Sequence, residues 1–414
     1  MPIIKPFKGL RPAVEVAEKV AAPPYDVLDS EEARALIKNN PYSFLHISKP
    51  EVDLPPDIDL YDEKVYKKGR ENLLKFINQD ILIQDKKPSF YLYRLIMGNH
   101  TEIGIVACVS VEEYKKGKIK IHEHTREEKE IDRATHVDVL NANTGPVLLT
   151  YKSEEAINKL VDKFVQTRSP LYDFICDDGV RHTLWRTEDE EFIAPLQNEF
   201  SRVDYFYVAD GHHRSAAAAR VQEMRMKNNP NHTGEEEYNY FLSVIFPHNQ
   251  MYVMEYNRVV KDLNGLSKDE FLERISEKFD ISTQEGTYKP TSKHTFGMYV
   301  DSTWYRLVAK EQVLHSDDPV DSLDISILHK NIIEPILGIT NPRKDKRINF
   351  VGGIRGLKEL ERLVDTREYA LAFALYPTSI EELMKVADAN KVMPPKSTWF
   401  EPKLRSGLVI HLLD

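Results

Sequence analysis

The stretch Asp210-Gly211-His212-His213-Arg214 concentrates polar chemistry directly behind an apolar run. Residues 203–209, VDYFYVA, read as a short buried strand, and residues 215–228, SAAAARVQEMRMKN, are helix formers throughout. The motif therefore falls where a strand turns into a helix. A helix start presents unpaired backbone N–H groups and the positive end of its dipole, and together these favour anions. Gly211 permits a tight turn or the close approach of a ligand. Arg214 matches phosphate oxygens with a fork of donors, and His212 and His213 add hydrogen-bonding or cationic groups. Asp210 suits a metal ion or the orientation of a hydroxyl. The expected chemistry is phosphate handling. The plainer alternative is an N-cap aspartate followed by surface histidines, but such a concentration of polar groups behind an apolar strand is costly unless something uses it.

Residues 121–133, IHEHTREEKEIDR, carry a second signal. On a strand His122 and His124 would share a face, with Glu123 on the other. A metal pair from the two histidines is one reading, although the zinc-protease spacing is absent. Glu123 as a general base is the more attractive one, because a carboxylate can take a hydroxyl proton. Thr125 then caps a helix over residues 126–141. A capped helix start with solvated charges is the plain alternative.

A third stretch, residues 393–407, MPPKSTWFEPKLRSG, sets Lys396, Ser397, Thr398, Lys403 and Arg405 in a proline-stiffened loop. Such a loop can present lysines and hydroxyls to phosphate, though it is not a Walker A loop, and a surface loop before the last strand is the equally open alternative. Weaker candidates are Asp26, after the rigid Pro23-Pro24 pair, where an ordinary turn is the plainer reading, and Asn257-Arg258, after an apolar strand, where a structural ion pair is as good a reading as a ligand contact. Asp321 and Asp324 read as helix caps.

These candidates need a frame. The 414 residues suffice for two or three domains and a sizeable core. No apolar run approaches the length of a membrane span, and the opening MPIIKPFKGLRP lacks the layout of a secretory signal, so a cytoplasmic location is expected. The two cysteines, Cys108 and Cys176, form no CxxC pair and read as buried small apolar residues. The net charge of −10, with Lys and Arg interleaved among Asp and Glu, argues against a nucleic-acid grip.

Strands are expected at 89–95 and 103–110 around Gly98-Asn99-His100, and at 239–246, 294–300, 303–309, 369–375 and 407–412. Helices are expected at 267–278, 322–336, 356–364 and 378–390. The sum is an α+β or mixed α/β protein whose element order is too irregular for a barrel or a doubly wound sheet. The loop Lys261–Gly265 suggests a division into residues 1–260, with the Asp210 site, and residues 261–414, which contribute the Lys396 loop.

Several of these segments together resemble a known family. Ala209 to Arg214, Ile121-His122-Glu123 with Thr125, Asp132-Arg133, Asn257-Arg258, LDISILH at 323–329 and MPPKSTWFEPK at 393–403 look like the "domain of unknown function 1015" family, from PFKGLRP to SGL. That family is similar to the ParB/sulfiredoxin-like superfamily, which includes free serine kinases. The resemblance implies a ParB/sulfiredoxin-like core with large insertions and a C-terminal α/β extension. It implies a glutamate-bearing turn facing the helix start, with Glu123 as base and Asp210 assisting it or binding Mg²⁺. His212, His213 and Arg214 would hold the phosphoryl group. Beyond what the resemblance implies, the further candidates for the substrate and phosphate site are His122, Thr125, Arg133, Gly211, Asp26, Asn257, Arg258, Lys396, Ser397, Thr398 and Lys403.

The expected function is transfer of a phosphoryl group from ATP, ADP or pyrophosphate to a small hydroxyl compound, L-serine first. A nucleotide-binding regulator or slow nucleotide hydrolase uses the same pocket, and a ParB-like nucleic-acid function is the third reading. The expected partners are a small-molecule substrate and a nucleotide or pyrophosphate, with no membrane; a homodimer is compatible with the sequence. Glu123, Asp210–Arg214 and Lys396 are expected to line one cleft.

Overall fold

The aromatic and β-branched runs on either side of Gly98 pair as a hairpin, β1 (Phe90–Met97) and β2 (His100–Ser110), in a computed structural model that describes residues 2–414. They sit within a nine-stranded sheet with β3 (Ile119–Lys120), β4 (Val147–Tyr151), β5 (Tyr172–Ile175), β6 (Arg181–Thr187), β7 (Phe206–Asp210) and β8 (Tyr240–Pro247). The order is β3-β7-β4-β8-β2-β1-β6-β5, with Ile4–Lys5 added to β2. The sheet is mixed: β7 runs parallel to β3 and β8 parallel to β4, while the other pairs are antiparallel.

The helices follow from apolar periodicity. Ile157, Val161 and Phe164 form one stripe of the helix Glu155–Thr167, and Phe192, Ile193, Leu196 and Phe200 form another on Glu190–Phe200. Both stripes join Phe90, Leu92, Val109, Leu149, Phe206 and Val208 of the sheet in one core. Two further helices position the site, α1 (Glu127–Leu140) and α2 (His212–Asn228). They pack against each other, Ala134 of α1 meeting Ala217 and Val221 of α2. Arg225 clamps the pair by donating to Asp138 Oδ1 at 2.8 Å and Asn141 Oδ1 at 2.6 Å.

Two compact units result, one comprising Met1–Met251 with Pro402–Asp414 and the other Tyr252–Glu401. The sequence-based division at 260/261 differs for a simple reason. The strand Tyr256–Val260 pairs with Ile348–Gly352 and Leu371–Ala374, so the loop after it is internal to the second unit. The end of the chain returns to the first unit because Ile410 exchanges backbone hydrogen bonds with Leu10, and His411–Leu412 pairs with Ala142–Asn143.

The second unit has a six-stranded antiparallel sheet, whose Val259, Tyr299 and Trp304 pack with Leu360, Leu363 and Val364 of the helix Leu357–Asp365. The single helix expected over 322–336 is instead a short α-helix, Asp324–Leu328, running into a π-helical turn, His329–Ile333. Asp324 does not cap it: the carboxylate accepts the backbone N–H of His294 at 3.0 Å. The chain is thus a mixed α/β protein, as expected. Among the described residues no helix is long and apolar enough to cross a membrane.

Ile410 is 0% exposed in the core beneath the N-terminal segment. Ile410→Ala should cost about 2–5 kcal/mol, the usual range for such a truncation. Urea unfolding followed by tryptophan fluorescence measures it.

Candidate functional site

The site is built on an irregular strand end. Val208 pairs with Leu149 and Asp210 with Leu148, which leaves Ala209 as the extra residue of a β-bulge. A bulge re-aims the side chain beside it. Gly211 follows at φ +98°, a conformation that L side chains rarely adopt, and is the N-cap of α2. Because Gly211 takes the cap position, Asp210 is not the N-cap. A Cβ at Gly211 would lie 3.1 Å from Arg214 Nε and 3.2 Å from its Cζ, because the guanidinium folds back over the glycine.

Asp210 is surrounded by cations drawn from distant parts of the sequence. Lys403 Nζ stands 3.7 Å from Oδ2 and Arg214 Nη2 3.9 Å from Oδ1. Burial pushes the carboxyl up, but Lys403 and Arg214 outweigh it and hold the group down at about 2. Asp210 is therefore ionised at neutral pH. Asp26 is also 3.9 Å from Arg214 Nη2. Arg214 donates from Nη1 to the Pro146 carbonyl, while its buried Nε has no hydrogen-bond partner.

The two histidines do something other than supply charge. His212 Nε2 accepts the backbone N–H of His122 at 3.4 Å, and His213 Nε2 accepts that of Arg126 at 3.2 Å. The His122 and His212 rings meet edge to face at 4.4 Å. An accepting Nε2 requires a neutral ring protonated on Nδ1. Burial agrees, pushing His212 well below the ordinary histidine range and His213 below it, and holding His122 down at about 4. Of the two roles open to His212 and His213, cationic or hydrogen-bonding, the second is the one they take here, as neutral acceptors that pin residues 122–126. Half-buried Glu123 lies within that pinned loop.

The loop also departs from the sequence reading. β3 stops at Lys120, so His122 and His124 share no strand face; His122 is buried and His124 exposed. The pair forms no metal cluster among the described residues. Thr125 is not the helix cap either: α1 starts at Glu127 after Arg126, and Thr125 Oγ1 donates to Glu130 Oε2 at 3.2 Å.

Behind Arg214 is a cavity lined by Tyr25, Arg133, His136, Thr144, Arg214 and Ser406, among others. Arg133 lies 4.1 Å from the centre of the Tyr25 ring and donates to Asp132 Oδ2 at 2.8 Å. Asp132 also accepts the Tyr66 hydroxyl at 2.8 Å. Burial pushes the Tyr25 phenol up to about 12, so it stays a neutral donor. Ser406 reaches this wall because Ala22 and Ser406 exchange backbone hydrogen bonds. Of these groups Tyr25, His136, Thr144 and Ser406 escaped the sequence reading. Only Tyr25 had a nearby signal, the APPYD stretch.

Lys403 and Asp26 therefore meet the Asp210 cluster, whereas Asn257, Arg258, Lys396, Ser397 and Thr398 belong to the second unit. There Asn257 Oδ1 accepts the Leu375 N–H at 3.0 Å. Arg258 donates from Nη2 to the Lys396 carbonyl at 2.9 Å and to the Pro395 carbonyl at 3.3 Å. Burial pushes that guanidinium down to about 9. Arg258 thus anchors the Lys396 loop, in which Lys396 itself has φ +56°.

The family model described as "Protein of unknown function (DUF1015)" matches residues 4–326. The chain belongs to this family. No curated protein matches it. Among solved structures, a free serine kinase variant in complex with ADP is similar at 14% identity and a TM-score of 0.35, over 73% of this chain and 92% of that one. A conserved hypothetical protein from Pyrococcus furiosus is similar at 15% identity and a TM-score of 0.36, over 74% and 95%. SbnI from Staphylococcus aureus, truncated at its C-terminus, is similar at 11% identity and a TM-score of 0.37, over 74% and 87%.

Two outcomes are expected of this DUF1015 protein. Gly211→Ala should destabilise it by about 1–2 kcal/mol for the left-handed backbone alone, and more through contact with Arg214; denaturant unfolding reads the loss. The second concerns His122, whose pKa is about 4 in the fold and about 6.5 when unfolded. The unfolded chain takes the proton first, so this contribution is complete above pH 6.5 and is lost as pH falls toward 4. It amounts to roughly 3 kcal/mol. Urea unfolding at pH 7 and pH 4.5 should show a smaller pH-dependent loss in His122→Gln than in the unsubstituted protein.

Proposed function

We propose that this protein transfers a phosphoryl group from a nucleotide or pyrophosphate to the hydroxyl of a small molecule. The observation that carries the reading is the pinned loop: both histidines of the helix start accept its amides, at His122 and Arg126. Glu123, the candidate base, belongs to that loop, between the two amides bonded by the first turn of α2. Phosphoryl transfer asks for this combination of positioning and charge neutralisation more than for covalent chemistry.

In this reading Glu123 accepts the hydroxyl proton as the acceptor oxygen forms its bond to phosphorus. The bond between phosphorus and the donor's bridging oxygen breaks, and its electron pair leaves with the donor. The first turn of α2 and Arg214 stabilise the charge on the transferring oxygens. Asp210 keeps Lys403 and Arg214 in place, each within 4 Å of its carboxylate. Its hard oxygen suits Mg²⁺ as one ligand, with phosphate oxygens supplying others, and the ion's part when bound is to neutralise the donor's charge. The motif resemblance makes L-serine the first acceptor to offer.

Purified protein with Mg²⁺ and ATP, ADP or pyrophosphate, offered L-serine and a panel of small alcohols, should form a phosphorylated acceptor detectable by phosphorus NMR. Glu123→Gln should lower kcat by about 10²–10⁴, as for loss of a general base. Asp210→Asn should abolish turnover. Full activity in Glu123→Gln removes the assigned base. Donor hydrolysis that ignores every acceptor makes the protein a nucleotide hydrolase, and tight nucleotide binding without turnover makes it a regulator.

A further inference from the structure

A second cluster uses none of the residues assigned so far. The hairpin of β5 and β6 carries Cys176 just after the first strand, Asp178 in the turn and His182 on the second strand. The thiol sulfur, a carboxylate oxygen and a ring nitrogen lie within 4.8 Å of one another. Cys176 is half-buried, Asp178 exposed and His182 buried.

His182 supplies the second observation. It is 1% exposed, and its Nδ1 stands 2.7 Å from Tyr93 Oη, yet its buried Nε2 has no hydrogen-bond partner. A buried polar atom left unpaired costs about 1–3 kcal/mol, and native proteins leave few of them; a bound ion is one way such an atom is satisfied. The neighbouring Arg405 donates from Nη2 to Asp178 Oδ2 and from its backbone N–H to Tyr93 Oη at 3.3 Å. The same network therefore orients both the carboxylate and the imidazole.

We propose that Cys176, Asp178 and His182 bind a zinc ion. The donor set decides the metal: sulfur, imidazole nitrogen and one carboxylate suit zinc, whereas Mg²⁺ and Ca²⁺ demand oxygen ligands throughout. Binding removes the thiol proton to solvent and forms a zinc–sulfur bond, so thiolate and carboxylate offset most of the combined charge of the ion and the Arg405 guanidinium. His182 binds through Nε2 while Nδ1–H donates to Tyr93 Oη, the outer partner that fixes tautomer and ring orientation at zinc sites. Arg405 remains on Oδ2 of Asp178, and Oδ1, which accepts the Val180 N–H at 3.1 Å, has a second lone pair for the metal. All three ligands come from one short hairpin, so the site needs no long loop to close. With three protein ligands, the fourth position belongs to water or an added ligand.

The test is a cobalt titration of the reduced, chelator-treated full-length protein. Co²⁺ should bind at one equivalent with a near-ultraviolet thiolate-to-cobalt band, and Zn²⁺ should displace it. The band should vanish in Cys176→Ser and persist in Cys108→Ser, which removes the other cysteine. Asp178→Asn changes an exposed side chain and should weaken binding at least tenfold with the circular dichroism spectrum unchanged. If Cys176→Ser fails to fold, the Asp178→Asn result carries the decision. A band that is absent from the unsubstituted protein, or that survives Cys176→Ser, overturns the proposal, as does unchanged affinity in Asp178→Asn.

Discussion

An ionised carboxylate at the end of a core strand sets the terms for the rest of the site. Asp210 sits where burial opposes charge, and the charge survives because Lys403 and Arg214 lie within 4 Å. Each cation makes its own structural demand. Arg214 reaches back over the first turn of its helix, so a Cβ at position 211 would stand only 3.1 Å from its Nε, at a left-handed φ of +98° that favours glycine. Lys403 comes from the far end of the chain, which requires Pro402–Asp414 to rejoin the first unit. The exchange between Leu10 and Ile410 and that between Ala22 and Ser406 meet the second demand with backbone hydrogen bonds.

The neutral histidines follow from the same burial. A ring that cannot hold a proton keeps a lone pair, and that lone pair is free to accept an amide. His212 and His213 use theirs to bind two amides of one loop, at His122 and Arg126. A charged pair of histidines would have repelled Arg214 and left those amides unmatched. The helix start thus acts as a clamp for the Glu123 loop, and its cationic character rests on Arg214, the helix dipole and Lys403.

The C-terminal segment serves several tasks within a few residues. Lys403 faces Asp210, Arg405 holds Asp178 and the Tyr93 hydroxyl, and Ser406 joins the wall beside Arg214.

The sequence by itself determined the local features. The apolar run before Asp210, the glycine after it and the alanine-rich run beyond it specify strand, turn and helix through short-range sterics and propensity, and DGHHR stands at that junction in the fold. The hairpin around Gly98 was legible for the same reason. Only the tertiary structure decided the protonation of His212 and His213, because burial and acceptor partners, not residue type, fix it. It also decided that Thr125 bonds Glu130 instead of capping α1, since the cap depends on where the loop is held. The two lysines of the proline-stiffened loop look equivalent in sequence. The chain crosses from the second unit to the first between Glu401 and Pro402, so Lys403 faces Asp210 while Lys396 stays in the loop that Arg258 anchors. Such assignments depend on contacts between residues far apart in the chain, and local periodicity carries no record of them.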